Sequence, residues 1–454
     1  MRAWTAERVA GAAGARLLSA PATAGGPSRA TIDSRTVGAG ALFVGLPGSA
    51  LDGGAFAADA LRAGAWGALT APAHAAEAAE AARSRPEGAA VMIADDPLLA
   101  LQELAAAWRR GLGARVVGVT GSTGKTSTKE LLRALLEPHA RTVASAANFN
   151  TEIGLPLEII GAPESTEALV LEMGMRGRGQ IAQLARIAAP EVGVIVSVGP
   201  VHLELLGTVQ NIAAAKAELI AGLPAGGTAI VPADEPLLAP HLRADVTTVT
   251  FGERGDVRLV GRRGRRLAID ASGRPVELEV DFQQAHLVSD LLAAVAAALA
   301  VGVVPSGRVA YQPGEGRGRR RTMAGGVTVI DDCYNANPIS MRAALDDLMA
   351  TVGARRVAVL GDMLELGPEE RRYHVSLGEQ AAAAGVDVLV AVGRLAAAVA
   401  EGFAGECHAL SDAQQASEVV TGLLTPGDVV LVKGSRGVGL ERVCRALGAR
   451  EDTP

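Results

Sequence analysis

The sequence predicts an α/β protein of three domains: a small N-terminal α/β domain, a central domain built on a parallel sheet, and a C-terminal open α/β domain. Three observations predict it. Apolar runs short enough for strands alternate with longer segments of helical periodicity. One of those runs, Val117-Gly118-Val119-Thr120, enters a glycine-rich turn ending in Gly124-Lys125-Thr126. At 454 residues the chain exceeds what a single hydrophobic core supports, and Pro313-Gly314-Glu315-Gly316-Arg317-Gly318 offers a linker.

The first block, residues 1–111, holds short strands at 41–46 and 89–93 and turns such as Leu51-Asp52-Gly53-Gly54. Its last helix repeats apolar residues at Leu98, Leu101, Leu104 and Trp108, with Asp95 or Asp96 as the cap and Gly111 and Gly113 beyond the end. Thr31-Ile32-Asp33-Ser34-Arg35 is a polar tip on an apolar strand, readable as an anion loop or as a plain turn.

The second block, 112–312, continues from the glycine-rich turn into a helix. Small residues at Gly121, Ser122, Thr123 and Gly124 let backbone N–H groups approach a polyphosphate, and the helix N-terminus favours negative charge. Lys125 supplies a point charge, and the Thr126 hydroxyl is spaced to ligate Mg²⁺. The common pattern has glycine five positions before Gly124, where this chain has Val119, so the loop is a shortened variant. Two further buried strands are expected at 168–172 and 192–198; the first ends in Glu172 and the second runs into Gly199-Pro200-Val201-His202. Continuous apolar strands predict a parallel sheet covered on both faces, whose ligands sit beyond the carboxyl ends. Glu172 and His202 fall at that edge beside the phosphate loop, which favours a metal site over two solvated loop residues.

The third block, 313–454, has strands at 327–330, 357–360, 386–392 and 429–432. Their ends carry Asp331-Asp332-Cys333-Tyr334-Asn335-Ala336-Asn337-Pro338, Gly361-Asp362-Met363 and Lys433-Gly434-Ser435. Repeated polar tips on one sheet edge point to a face that meets a ligand held by the second block. The glycines of Gly434-Ser435-Arg436-Gly437-Val438-Gly439 have the wrong spacing for a dinucleotide fingerprint and are discounted.

Bulk composition narrows the function. Hydrophobic residues make up 49% and charged residues 20%, as in a soluble globular protein. The net charge of −6 gives no reason to expect a nucleic-acid partner, and the short basic run at 317–321 reads as a local anion site or solvated linker. Cys333, Cys407 and Cys444 are few and unclustered, which suits reduced thiols in the cytoplasm and argues against zinc. The N-terminus lacks the apolar core of a signal peptide. The Ala-rich stretch 287–304 carries Asp290 and reads as a buried helix, so no membrane insertion is expected.

Lysine usage adds a further signal. Among 43 Lys+Arg residues the lysines are Lys125, Lys129, Lys216 and Lys433 alone. Where arginine serves wherever charge suffices, lysine should persist where a compact amine is needed. Lys129, one turn past the loop, reads as a surface charge; Lys216 and Lys433 call for a specific role.

Taken in order, these motifs resemble the Mur ligases, ATP-dependent amide-bond ligases of peptidoglycan precursor synthesis. The resemblance rests on the Thr-Gly-Ser-Thr-Gly-Lys-Thr loop, Leu171-Glu172-Met173-Gly174, His202-Leu203-Glu204 and Ala215-Lys216-Ala217-Glu218, and spans nearly the whole chain. Three passages resemble the member that joins D-alanyl-D-alanine to UDP-N-acetylmuramoyl-tripeptide: Asn148-Phe149-Asn150-Thr151-Glu152-Ile153-Gly154, the Asp332-to-Pro338 segment, and Leu360-Gly361-Asp362-Met363-Leu364-Glu365-Leu366-Gly367.

The resemblance implies an N-terminal UDP-precursor domain, a central ATPase domain and a Rossmann-like C-terminal domain. It implies an acyl-phosphate route, with Lys125, Glu172, His202 and Lys216 as catalytic residues. Thr126, Glu172, His202 and Lys216 would hold Mg²⁺, two ions in all, with Lys216 carbamylated. Asp290, Arg317, Asp331 (or Asp332) and Asn335 would serve the nucleotide with the loop residues. Ser34, Arg35 and Asp52 would serve the UDP end, and Asn150, Thr151, Tyr334 and Asn337 the rest of the substrate. A cytoplasmic monomer is expected. The family usually has asparagine where Asp290 stands, and an ionised aspartate cannot donate a hydrogen bond, so looser base recognition is expected. A relative ligating another amino acid, a folylpolyglutamate-type synthetase and a nucleotide-gated binding protein without catalysis are the competing readings.

Overall fold

The structure is a computed structural model that describes residues 3–22, 25–49, 51–146, 149–323 and 325–449. Asn148 lies outside them. Three sheets follow one another along the chain. The first contains β1 (Arg16–Ser19), β2 (Arg29–Thr31), β3 (Ala41–Val44), β4 (Gly67–Thr70) and β5 (Ala90–Ile93), in the order β1-β5-β4-β3-β2. Only β1 runs antiparallel to its neighbour. Asp96 caps the helix Pro97–Gly111 by accepting from the Leu99 N–H at 2.9 Å. The buried face of that helix, with Leu101, Leu104 and Trp108, packs on the helix Gly154–Gly161 of the next unit.

The second sheet has ten strands: β6 (Arg115–Thr120), β7 (Thr142–Ala144), β8 (Ala168–Glu172), β9 (Val192–Ile195), β10 (Thr228–Pro232), β11 (Thr247–Phe251), β12 (Val257–Arg263), β13 (Arg266–Ala271), β14 (Arg274–Val280) and β15 (Gly307–Val309). Their order is β15-β14-β13-β12-β11-β10-β9-β6-β8-β7. From β6 to β11 all neighbours are parallel, as continuous burial of their apolar runs demands. The expectation of a wholly parallel sheet needs one correction: β12, β13 and β14 form an antiparallel meander. These strands alternate buried and exposed residues, which suits a half-solvated extension rather than a strand covered on both faces. Ser272 and Gly273, both with positive φ (54° and 85°), make the two-residue turn between β13 and β14.

The helix Ala285–Ala300 lies against the phosphate-loop helix Lys125–Leu136. Its alanines at 293, 294, 296, 297 and 298 are all buried, so two helices approach closely behind the loop.

The third sheet orders β16 (Arg319–Thr322), β17 (Thr328–Asp331), β21 (Val429–Lys433), β18 (Arg356–Gly361), β19 (Val388–Val392) and β20 (Glu406–Leu410) side by side. All pairs are parallel except β16 with β17. Behind the end of β18, His374 is fully buried. The Met363 N–H donates to its Nε2 at 2.9 Å, and Nδ1 donates to the Glu370 carbonyl at 2.7 Å. Burial lowers its affinity for a second proton, and the backbone of Glu370 and the Asp362 charge oppose this only in part.

Because the native ring resists protonation, the unfolded chain binds more protons once pH falls through its ordinary value of 6.5, and stability falls with it. His202 and His286 shift in the same direction, also through burial. The urea midpoint should therefore fall as pH drops from about 7.5 towards about 5.5, on top of the slower rise at higher pH that the buried Lys216 amine imposes. The drop should be smaller in His374→Gln, whose amide accepts from Met363 without titrating.

Candidate active site

A cleft of about 1180 Å³ runs between the carboxyl edges of the second and third sheets. Its floor is the glycine-rich loop. Ser122 and Thr123 are tied to the end of β9: the Ser122 N–H donates to the Ser197 carbonyl at 3.0 Å, and the Thr123 N–H to Ser197 Oγ at 2.9 Å. Ser122 Oγ accepts from the Gly199 N–H at 2.9 Å. Gly124 has φ of 78°, and a Cβ there would sit 2.4 Å from Asp290 Oδ1, so the residue type is dictated twice. Lys125 Nζ donates to the Gly121 carbonyl at 2.7 Å and faces the Glu172 charge. Enclosure of its amine still lowers its pKa, aided by nearby Arg317.

Glu172 ends β8 and is buried. It accepts from Thr126 Oγ1 at 2.8 Å and from Asn150 Nδ2 at 2.8 Å, and its own N–H donates to Ser145 Oγ at 3.0 Å. Thr151 lines the same wall. Lys129, expected at the surface, is 1% exposed instead. Its Nζ donates to the Ser145 carbonyl at 2.5 Å and pairs with Glu130 at 2.9 Å, so it braces the segment that carries Asn150. Helical spacing from Lys125 could have shown that position 129 lies on the inward face, as buried Leu132 and Leu136 do.

Lys216, on the helix Val209–Ala221, is 2% exposed and has no hydrogen bond or ion pair among the described residues. Desolvation, and then the Lys125 charge, push its pKa well below the ordinary lysine value. His202 stands at φ of 53° after β9, and its Nδ1 is hydrogen-bonded to Glu365 of the third unit. Burial lowers its pKa, Glu365 opposes that, and Lys125 and Lys216 reinforce it. Thr126, Glu172 and His202 thus line one cleft, and Lys216 is buried within electrostatic reach of Lys125 and His202. Their hydroxyl and carboxylate oxygens and one imidazole suit a hard divalent cation, and the orphaned amine of Lys216 fits if it becomes an oxygen donor.

The opposite wall comes from the third unit. Arg317 stacks on the Tyr334 ring at 4.0 Å, and Arg436 approaches the same ring at 5.7 Å. Lys433 Nζ donates to Asp332 Oδ2 at 2.8 Å and to the Asn335 carbonyl at 3.0 Å. Asn337 caps the helix Pro338–Ala350 in a reciprocal capping box with Ser340 while lining the cleft. One expectation is corrected. Asp331 is buried and accepts from Cys333 Sγ at 3.1 Å, near Cys444, whereas Asp332 lines the cleft. Successive residues at a strand end point to opposite faces, so only one of the pair can face the ligand.

Ser34, Arg35 and Asp52 lie at the first sheet, apart from this cleft. Arg35 pairs with Asp33 at 2.8 Å, and Asp52 accepts from the Gly54 N–H at 2.9 Å and contacts His74 Nε2 at 2.7 Å. Tyr311, His286, Arg436 and Glu365 line the cleft without having been singled out. Glu365 and Arg436 sat inside motifs already noted, but only the tertiary pairing gives them partners.

Comparison with known proteins agrees with the geometry. The chain matches family models described as Mur ligase family, catalytic domain over residues 29–109, Mur ligase middle domain over 119–298, and Mur ligase, glutamate ligase domain over 316–436. It is 34% identical to the UDP-N-acetylmuramoyl-tripeptide–D-alanyl-D-alanine ligase of Bacillus subtilis over 91% of this chain and 92% of the relative. The Escherichia coli protein of that name is 32% identical over 92% and 93%. Among solved structures, MurF from Acinetobacter baumannii superposes with a TM-score of 0.85 at 29% identity, covering 98% of this chain and 99% of that one. MurF from Thermotoga maritima in complex with ADP gives 0.78 at 28% identity, covering 93% and 97%.

The loop geometry yields a direct expectation. Gly124→Ala puts a side chain into a left-handed backbone, at roughly 1–2 kcal/mol, and into the Asp290 carboxylate. ADP affinity measured by calorimetry should fall about tenfold or more, since each 1.4 kcal/mol is tenfold.

Proposed function

The chain belongs to the Mur ligase family, and we propose that it joins D-alanyl-D-alanine to UDP-N-acetylmuramoyl-tripeptide at the expense of ATP. It is an enzyme, an ATP-dependent ligase. The observation that carries the substrate assignment is the third-unit wall, Arg317, Tyr334, Asn335 and Asn337, set opposite Lys125, Glu172 and His202 across one cleft. The UDP-precursor reading of 1–111, the ATP-binding reading of 112–312 and the closing role of 313–454 draw support from the separate sheet in each.

The mechanism follows from what a carboxylate lacks. It is a poor electrophile, so an oxygen of the tripeptide carboxylate attacks the γ-phosphorus of ATP, and ADP leaves. The D-alanyl-D-alanine amine then adds to the acyl-phosphate carbonyl. The tetrahedral species collapses, phosphate departs with the former carboxylate oxygen, and the amine nitrogen loses a proton. Meeting of two anions in the first step asks for positioning and charge neutralisation. Lys125 and the backbone N–H groups of Gly124 to Thr126, at the start of the helix, hold the β- and γ-phosphates. Asn150, through its bond to Glu172, links the substrate wall to the loop. Tyr334, Asn335 and Asn337 bind from the third unit, whose closure excludes water from a labile intermediate. Ser34, Arg35 and Asp52 take the UDP end.

Thr126, Glu172, His202 and Lys216 would hold Mg²⁺, which when bound neutralises the phosphate oxygens and the incoming carboxylate. Two ions are proposed. Lys216 serves them as a carbamate: its neutral amine adds to CO₂ and releases a proton, giving an anionic oxygen donor. The low proton affinity that burial and Lys125 impose supports this, because only the free amine is nucleophilic. The protein is further read as cytoplasmic, which its free thiols support, and as a monomer.

ADP release should require UDP-N-acetylmuramoyl-tripeptide and D-alanyl-D-alanine together and yield the pentapeptide mass. Turnover with a single amino acid in place of the dipeptide would overturn the acceptor assignment, and nucleotide binding without turnover would overturn the enzyme reading. Lys216→Ala should lose roughly 10²-fold or more in kcat. Added short-chain carboxylates should restore part of it; no restoration, with an unmodified amine in native mass spectra, would remove the carbamate.

A further inference from the structure

His202 and Glu365 are two of four non-glycine residues with positive φ among the described residues, at 53° and 64°. They sit in different units and face each other. A left-handed backbone costs an ordinary side chain of order 1 kcal/mol, and such outliers persist only where the surroundings enforce them. Here the enforcement is visible. The Glu204 N–H donates to the Glu365 carbonyl at 3.2 Å. A Cβ on Gly367 would stand 3.3 Å from Glu204 Cα, so the two chain segments touch backbone to backbone. Arg176 lies 3.9 Å from Glu365 Oε1, steadying the carboxylate from the central unit. The other carboxylate oxygen, Oε2, meets His202 Nδ1.

We propose that Glu365 is a positioning residue, supplied by the third unit, that fixes the ring orientation and tautomer of His202. A carboxylate only accepts, so Nδ1 must carry the proton. Nε2 is then left with its lone pair, and it has no partner among the described residues. Histidines that ligate metals commonly donate their other ring N–H to a carboxylate, which sets the tautomer and raises ligand basicity. In this chain the carboxylate arrives from a different sheet. His202 is therefore correctly presented only when the third unit sits on the second, and closure and assembly of the catalytic centre become one event. The inference rests on the ligase reading for its consequence but not for its geometry.

The test uses the full chain labelled with ¹⁵N-histidine and saturated with Mg²⁺ and ADP. Long-range ¹H–¹⁵N spectra report which ring nitrogen bears the proton, with His202→Gln identifying the signal. The expected result is a proton on Nδ1 of His202 in the parent protein and its redistribution towards Nε2 in Glu365→Ala. Alongside, kcat should fall about 10- to 100-fold with KM for ATP nearly unchanged, and Mn²⁺ affinity in the presence of ADP should weaken. Glu365→Asp, which keeps the charge and is the milder change if the alanine variant melts early, should recover part of both. A parent protein that ligates with the His202 proton on Nε2 would overturn the proposal. So would a Glu365→Ala protein with unchanged spectrum, Mn²⁺ affinity and kcat. A parent protein with the expected tautomer that joins no dipeptide would support the pairing and overturn the ligase reading instead.

Discussion

Two amines in electrostatic reach of each other, Lys125 facing the cleft and Lys216 buried behind it, are the constraint around which the site is arranged. Desolvation is the larger penalty on a charge at Lys216, and the Lys125 charge adds to it. One carboxylate, Glu172, faces Lys125 and is itself held by Thr126, Asn150 and the Ser145 hydroxyl. Its position is consequently fixed from three chain segments, and those segments are fixed in turn: Ser145 and its neighbours by the buried ammonium of Lys129, the loop by Ser197 and Gly199. A polyanionic substrate at the loop would pair with the Lys125 charge, and the low proton affinity of Lys216 spares the site from holding two ammonium groups.

The same logic explains why three sheets are used. Parallel sheets collect polar residues at their carboxyl ends, and two such ends placed face to face enclose a cleft larger than either could form alone. The third unit contributes its own charge pairing, Lys433 with Asp332, so its wall does not draw on the scarce anions of the second. All four lysines of the chain are engaged in or around this cleft, whereas the ion pairs elsewhere among the described residues are made mainly by arginine. The bias towards arginine elsewhere makes the pattern visible: a small amine fits where a planar guanidinium would need more donors satisfied.

Much of this was legible in the chain. The loop, Glu172 and the end of β9 are local features: a strand that ends where the apolar run ends puts its next residue at the sheet edge. What escaped was what depends on pairing between distant segments. The β12–β14 meander has a hairpin signal in Ser272-Gly273, yet its alternating, arginine-rich strands lack the continuous apolar runs by which the others announce themselves. Asp331 and Asp332 are indistinguishable by composition and separated only by the direction each takes at the end of β17. Glu365 carries no signal until His202, 163 positions away, is brought against it.

Asp290 shows how burial rewrites a sequence-level expectation. As an ionised carboxylate it would be a poor substitute for an amide, since it could accept but not donate. Yet it is buried beside Gly124, with no cation paired to it among the described residues, and desolvation raises its pKa well above the ordinary value, against only a hydrogen bond from Ser127. A carboxyl group held neutral offers one O–H donor and one carbonyl acceptor. That is the same pairing capacity an asparagine presents through one face of its amide. The replacement is therefore smaller in hydrogen-bonding terms than in formal charge. The difference it introduces is conditional, because an acid can lose its donor when it ionises and an amide cannot. The environment that packs Asp290 against the loop favours the neutral form, in which the two are most alike.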